Sequence, residues 1–311
     1  MEYVNLKNSD LRVSRLCMGG CPMGGHGWGI VQEQDLIDAV HTALDQGLNF
    51  FDTADTYGLG QSERTLSRAL GGRRDQVVIA SKFGVRVENH STFYDNSPQW
   101  IRTACENSLR RLNTDYIDLY QIHYRDGHTP LEVVVETLER LRDQGKIRYF
   151  GLSNLGMKDF EELEPYRGRF VSLQNQYSLA CRDHERETME LCHKLDLSPL
   201  TWGSLGQGIL TGKYDATASF GSDDRRSRAV YTNFHGKKLL KNLEIVDHMR
   251  RVADAYGKPV SAVAVRFILD HLPGSVVLCG VKRPDQIRSN AESLGWHLRQ
   301  RDIDFLEFIS R

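Results

Sequence analysis

Apolar residues in this chain follow two alternating patterns. Short runs rich in β-branched and aliphatic residues recur at 15–18, 48–52, 77–82, 116–122, 148–152, 171–175, 198–202 and 276–279. Between them lie stretches whose apolar positions are three and four apart, as at 34–45, 99–112, 131–143 and 239–256. The alternation predicts eight strand-helix units and a parallel sheet. Gly47, Gly145 and Gly257 follow three of the helical stretches, where a left-handed terminating residue is wanted. Before the first unit, residues 3–6 and 11–13 flank a polar turn at Asn8, Ser9 and Asp10, which predicts a β-hairpin closing the bottom of the fold.

Eight such units either close into a barrel or stay open as a doubly wound sheet. The G-x-G-x-x-G fingerprint of the open sheet is absent, because the Gly-rich run at 19–29 has the wrong spacing and opens no helix directly. The expected fold is therefore α/β, a single (β/α)8 TIM barrel over residues 1–311, with the run at 19–29 as a mobile active-site loop. A length of 311 residues suits a barrel of roughly 250 residues plus loops. Residues 215–234 lack periodicity and are rich in Ser, Asp, Arg and Gly, so they read as a lid whose Arg225, Arg226 and Arg228 order over a bound ligand.

Charge adds little: 40 Lys plus Arg against 41 Asp plus Glu leave no general field for nucleic acid or an anionic membrane. No apolar run approaches eighteen residues and the start carries no apolar signal core, so the expectation is a cytoplasmic protein without membrane or nucleic-acid partners. The oligomeric state is left open by the sequence, a monomer being slightly favoured. The cysteines Cys17, Cys21, Cys105, Cys181, Cys192 and Cys279 form no C-x-x-C pair, so buried free thiols are expected and no metal site.

A parallel barrel places its chemistry at the C-terminal strand ends. There the second predicted strand ends at Asp52 with Tyr57 five residues on, the third at Lys82, and the fourth is followed by His123. Together they form a coherent acid-base group. A phenol with a pKa of about 10 is a poor acid, but a nearby ammonium can lower that value by about 1 to 3 units, a task for Lys82. A buried Lys stays charged only beside a carboxylate, and Asp52 is available.

These residues lie in motifs that resemble the aldo-keto reductase superfamily: F-D-T-A-D-T-Y-G at 51–58, S-K at 81–82, Y-I-D-L-Y-Q-I-H at 116–123, G-L-S-N at 151–154, Q-N-Q-Y-S at 174–178, G-S-L-G-Q-G-I-L-T-G-K-Y at 203–214 and C-G-V-K-R-P-D-Q-I-R-S-N at 279–290. Order and spacing agree over nearly the whole chain. The resemblance implies NAD(P)H-dependent reduction of a small-molecule carbonyl, with NADP(H) as the cofactor and no metal. Tyr57 is then the general acid, tuned by Lys82 and Asp52, and His123 orients the carbonyl. It further implies that Ser153, Asn154 and Gln174 hold the carboxamide and that Trp202 stacks on the nicotinamide. Gly203, Ser204, Leu205, Gly206, Gly208 and Lys213 would run along the pyrophosphate, and Gly280, Lys282, Arg283, Gln286, Arg288 and Asn290 would surround the adenosine phosphate. Relatives commonly read Y-S-P-L where this chain reads Trp202, Gly203, Ser204 and Leu205, so the usual hydroxyl has moved or vanished. Lys and Arg near the 2′ position favour NADP over NAD.

For the substrate, Trp28, Phe83, Arg86, Tyr124, Arg125 and His128 lie on the expected catalytic face, and their mixture suggests a hydroxylated or anionic compound. A Schiff-base aldolase is disfavoured because Lys82 has a matching Asp and Tyr. The alternative is an NADP-binding regulatory subunit with little turnover, because the potassium-channel beta subunits of the superfamily also carry Trp at the stacking place.

Overall fold

The computed structural model describes residues 1–89 and 91–311. Its strands are β1 (Tyr3–Asn5), β2 (Arg12–Ser14), β3 (Leu16–Gly19), β4 (Phe50–Asp52), β5 (Val78–Phe83), β6 (Val85–Glu88), β7 (Ser91–Tyr94), β8 (Ile117–Ile122), β9 (Ile147–Ser153), β10 (Phe170–Gln176), β11 (Ser198–Trp202) and β12 (Val276–Gly280). The helices are α1 (Glu33–Asp45), α2 (Gln61–Leu70), α3 (Pro98–Leu112), α4 (Leu131–Asp143), α5 (Phe160–Leu163), α6 (Glu185–Leu195), α7 (Gly236–Tyr256), α8 (Val260–His271), α9 (Pro284–Ala291) and α10 (Gln300–Ile309). Eight parallel strands close in the order β3, β4, β5, β8, β9, β10, β11, β12 and back to β3. All eight sequence-predicted strands are present, most within two residues of their expected limits.

Each strand has two buried faces, so the apolar runs are continuous, and alternation decides which side chain enters the barrel. Phe50, Val78, Ala80, Leu119 and Leu200 join the inner cluster, while Phe51, Ile79, Tyr120 and Ile122 join the outer one beneath the helices. The hairpin β1–β2, paired from Tyr3 with Ser14 to Asn5 with Arg12, supplies Leu6, Leu11 and Val13 to the inner cluster. All three are at most 1% exposed, so the hairpin is the barrel's floor, as expected. Helix ends obey local rules: Ser97 accepts from the Trp100 amide with Pro98 in the first turn of α3, and Gly257 at φ 60° closes α7.

A second antiparallel hairpin, β6–β7, stands between β5 and α3 and was not apparent from the sequence pattern. The long segment after β11 is anchored by the buried Asp224, Arg226, Asn233 and Phe234, with most of residues 215–223 and 228–230 exposed. Two short 3₁₀ turns, Arg225–Ser227 and Thr232–Phe234, lie within it, and Arg226 is enclosed by the rings of Tyr214, Phe220 and Phe234. The six cysteines are free and four of them are buried.

If the β1–β2 hairpin is the floor, Leu11→Ala lowers stability by about 2–5 kcal/mol through the cavity it leaves. Val87→Ala, on the exposed hairpin, changes it by about 0.5 kcal/mol or less. Urea denaturation of the two variants, compared with the unmodified protein, checks both values.

Candidate active site

Strand alternation builds the site. Asp52 shares the inner face with Phe50, Lys82 with Ala80 and Gln121 with Leu119, so a polar layer caps the apolar barrel interior. Lys82 Nζ donates to Asp52 Oδ1 at 2.6 Å and to the Thr53 carbonyl at 2.9 Å, with both charged side chains almost fully buried. Asp52 Oδ2 accepts from Gln174 Nε2 at 2.7 Å and Gln121 Nε2 at 3.2 Å. The buried carboxylate thus has partners on both oxygens, which makes a desolvated ion pair tolerable.

The third hydrogen-bonding direction of the ammonium points to Tyr57: Lys82 Nζ lies 3.4 Å from Tyr57 Oη. Tyr57 sits in a turn fixed by close backbone approach. A Cβ on Gly58, at φ 60°, would fall 2.0 Å from the Gly24 carbonyl oxygen, and one on Gly24 would fall 2.7 Å from the Gly58 amide. Only glycine permits this docking of the Gly-rich loop on the Tyr57 turn.

Electrostatics correct one expectation. Burial, followed by the nearby Cys21 and Asp52, pushes the Tyr57 phenol well above its ordinary pKa, opposite to the lowering expected from Lys82. Desolvation outweighs the ammonium's pull, although part of the ring still faces the mouth. His123 moves the other way: burial first, and then Lys82, hold its imidazole well below the usual range and therefore neutral. The rings of Tyr57 and His123 meet edge to face with centroids 5.9 Å apart.

The residues assigned to the nicotinamide form one network. Ser153 Oγ donates to the Gln174 carbonyl at 2.8 Å, Asn154 Nδ2 to the His123 carbonyl at 3.0 Å, and Trp202 Nε1 to Asn154 Oδ1 at 3.2 Å. Beyond Trp202, Gly203, Gly206 and Gly208 all have positive φ and curl the segment into an open cradle next to Leu205. The Ser204 hydroxyl is turned away to the Thr201 carbonyl at 2.9 Å, and the Gly206 and Gly208 amides donate to the Gly203 and Leu205 carbonyls, while Lys213 is exposed at the end of the segment. Gly280 ends β12, and the Lys282 amide after it donates to Gln286 Oε1 at 2.7 Å.

Lys282 Nζ donates to the Trp28 carbonyl, and burial followed by the charges of Arg226 and Lys213 lowers its pKa. Like charges therefore converge here with Asp224 as the nearby carboxylate, a setting suited to a multiply charged anion. Asn290 is 3% exposed and its Nδ2 meets no partner, which leaves a donor for a flat polar ring. Arg288 is exposed on α9, and Arg283 is paired with Asp285 on the surface at 3.0 Å. The residues present fit a dinucleotide with phosphates at this end.

Several expected contacts fail. Phe83 is fully buried against Tyr120 in the outer core, because alternation turns it away from the inward Lys82. Arg86 is held by Asp95 at 2.7 Å and by Glu88, and lies over the Trp100 ring. Arg125 donates to the Thr129 carbonyl at 2.8 Å and to Glu162 at 2.9 Å, and the His128 side chain is 75% exposed beside Asp126. Of the six, Tyr124 stacks on His123, while Trp28 is tied to Lys282 through its carbonyl. Arg226 is also committed, to Asp224 at 2.6 Å and Tyr214 Oη at 2.5 Å, so it is not free to swing onto phosphate.

Sequence reasoning missed Gln121, Glu63 and Tyr94. Gln121, two residues before His123 on the same strand face, was legible by alternation. Glu63, fully buried between Ser81 Oγ and Arg111 Nε at 2.6 Å each, braces the outer side of the Lys82 strand and carries no sequence signal.

A closed (β/α)8 barrel crowned by a buried Lys-Asp pair, a phenol and a neutral imidazole defines an α/β-barrel protein with its acid-base group at the mouth. The chain belongs to the aldo/keto reductase family, whose model matches residues 15–310. It is 35% identical to "Aldo-keto reductase YhdN" of Bacillus subtilis over 307 residues, covering 97% of this chain and 91% of that protein. It is 29% identical to the "NADH-specific methylglyoxal reductase" of Escherichia coli, covering 98% and 97%. Among solved structures, the glycerol dehydrogenase AKR11B4 of Gluconobacter oxydans superposes with a TM-score of 0.89 at 32% identity, covering 99% of this chain and 94% of that one.

Removing Lys82 while leaving Asp52 strands a buried carboxylate, so Lys82→Met costs about 3–5 kcal/mol of folding stability. The double replacement Lys82→Met with Asp52→Leu recovers much of it. Equal loss in the two variants, read from urea midpoints, would contradict the pairing.

Proposed function

We propose that this chain reduces an aldehyde or ketone to the alcohol with a nicotinamide cofactor, NADP(H) in preference to NAD(H), and that Tyr57 is the general acid. The observation that carries this reading is the Tyr57 hydroxyl 3.4 Å from an ammonium that is itself pinned 2.6 Å from a buried carboxylate. When bound, the cofactor supplies the hydride for the carbonyl carbon. Ser153, Asn154, Gln174 and Trp202 would hold its nicotinamide end, and the 203–213 segment with Lys282 its phosphates.

Tyr57 holds its proton at Oη because burial disfavours the phenolate, and gives it up only as negative charge builds on the substrate oxygen. The phenolate left behind is met by the Lys82 ammonium, a charge already in place that needs no reorganisation. His123 is neutral, and its enclosed Nδ1 meets no donor or acceptor. An orphan lone pair is cheaper there than an orphan N–H, which assigns the proton to Nε2 and leaves that nitrogen to donate to the carbonyl oxygen. Because Arg86 and Arg125 are paired elsewhere, the anionic substrate class suggested by composition loses its support. A regulatory subunit that holds NADP without turnover would keep the same residues, and turnover separates the two readings.

Tyr57→Phe is expected to cut kcat by about 100-fold or more with cofactor affinity unchanged, since general-acid help is worth 10² to 10⁴. Screening NADPH oxidation against aldehydes and ketones provides the assay, and full activity in the variant would defeat the assignment. Lys282→Ala is expected to weaken NADPH binding more than NADH binding. Fluorescence titration of both cofactors checks this, and equal affinities in the unmodified protein would overturn the NADP preference.

A further inference from the structure

The orientation of a histidine ring is ordinarily set by a hydrogen bond at one of its nitrogens. His123 has none: its Nδ1 is enclosed without a partner, and among the described residues neither ring nitrogen bonds to a protein group. Its backbone is held, the amide donating to the Phe83 carbonyl at 2.8 Å and the carbonyl accepting from Asn154, but these bonds do not fix the ring. What touches the ring is aromatic. Tyr124 stacks on it with centroids 5.1 Å apart and planes at 25°, and Tyr94 stacks on the far face of this arrangement against Tyr124, at 4.9 Å and 15°. Tyr57 closes the row edge-on.

Tyr94 comes from β7 of the unexpected hairpin, and that hairpin is tied to the Tyr124 loop by specific bonds. Asn96 Nδ2 donates to the Tyr124 carbonyl at 3.1 Å, the Asn96 amide to Asp126 Oδ2 at 2.8 Å, and the Asp126 amide back to Asn96 Oδ1 at 2.9 Å. A Cβ at Gly84, φ 103°, would lie 2.6 Å from Asn96 Nδ2 and 2.9 Å from the Tyr124 carbonyl oxygen. The hairpin therefore fits one position. Offset stacks of this kind add to burial a preference for one relative orientation of the rings.

We infer that Tyr124 and Tyr94 are positioning residues for the carbonyl-polarising His123, the ring stack doing for this imidazole what a hydrogen bond does elsewhere. This rests on the reductase reading above. The groups facing His123 are Tyr57 from the loop after β4, Lys82 from β5, Tyr124 beside it and Asn154 from the loop after β9. Lys82 is the charged group among them, and with burial it keeps the ring uncharged. Neither tyrosine needs its hydroxyl for the stack.

The test is the series Tyr124→Phe, Tyr124→Ala and Tyr94→Ala. Tyr124→Ala should lower kcat by about 10-fold or more, part of the 10² to 10⁴ typical of such groups, with cofactor affinity unchanged. Tyr124→Phe should rescue it, and Tyr94→Ala should lower kcat less. The readout that a merely structural role would not move is the titration of the His123 ring by NMR. In the unmodified protein the ring titrates well below the ordinary value of about 6.5, whereas in Tyr124→Ala it titrates closer to that value. Equal losses in the Phe and Ala variants, a kcat loss with the ring titration unmoved, or no loss in either Ala variant overturns the inference. Tyr94 is 45% exposed on the hairpin, so Tyr94→Ala folds even if Tyr124→Ala does not. If the unmodified protein turns over no carbonyl compound, the reductase reading fails, and the ring titration still decides whether the stack controls His123.

Discussion

The buried pair of Lys82 and Asp52 is the constraint on which the mouth of this barrel depends. An ammonium and a carboxylate removed from water each carry a desolvation penalty of several kcal/mol, recovered only with close geometry and partners for the remaining lone pairs. The structure meets that demand with Gln121, Gln174 and the Thr53 carbonyl, drawn from β8, β10 and the turn after β4. The polar layer therefore spans the barrel, and the placement of Tyr57 over Lys82 follows from it. On the proposed reading of Tyr57 as general acid, a phenol kept protonated by burial lies beside a fixed cation that would meet the phenolate.

Around that layer the loops are tied to one another. The Gly-rich loop docks on the Tyr57 turn through Gly24 and Gly58, bridges from Gly27 to Asp224, and accepts from the Arg225 amide at 3.0 Å. Trp28 meets Tyr231 edge-on, and its carbonyl accepts from Lys282. One loop thus touches the catalytic turn, the segment after β11 and the phosphate-side lysine. The positive charge in that region is local: Lys213, Lys282 and Arg226 converge within a chain whose net charge is −1. The anion binding proposed for this chain therefore rests on a site and not on the whole surface.

The eight strands, the floor hairpin and the strand-end positions of Asp52, Lys82 and His123 were legible in the sequence because hydrophobic periodicity is local and each strand's burial is set by its own residues. Tyr57 and the dinucleotide-facing segments were legible through motif order. Phe83, Arg86, Arg125 and His128 shared the same catalytic-face positions, yet their loops turn three of them to other partners or to solvent, and pleat parity buries the fourth. Side-chain charge was visible, but the carboxylates that consume it, Asp95, Glu88 and Glu162, were not.

The sequence by itself determined which residues could form an acid-base group, because type and strand-end position suffice to nominate them. Only the tertiary structure decided how they behave. Desolvation is a sum over everything packed around a group, so the raised phenol of Tyr57, the neutral ring of His123 and the ordering of that ring by Tyr124 and Tyr94 depend on elements distant in the chain. The β6–β7 hairpin shows the reason most plainly: its strands of four residues each are too short for a clear periodic signal, and its place against Tyr124 is fixed by Asn96, Asp126 and Gly84, contacts that exist only once the barrel has closed.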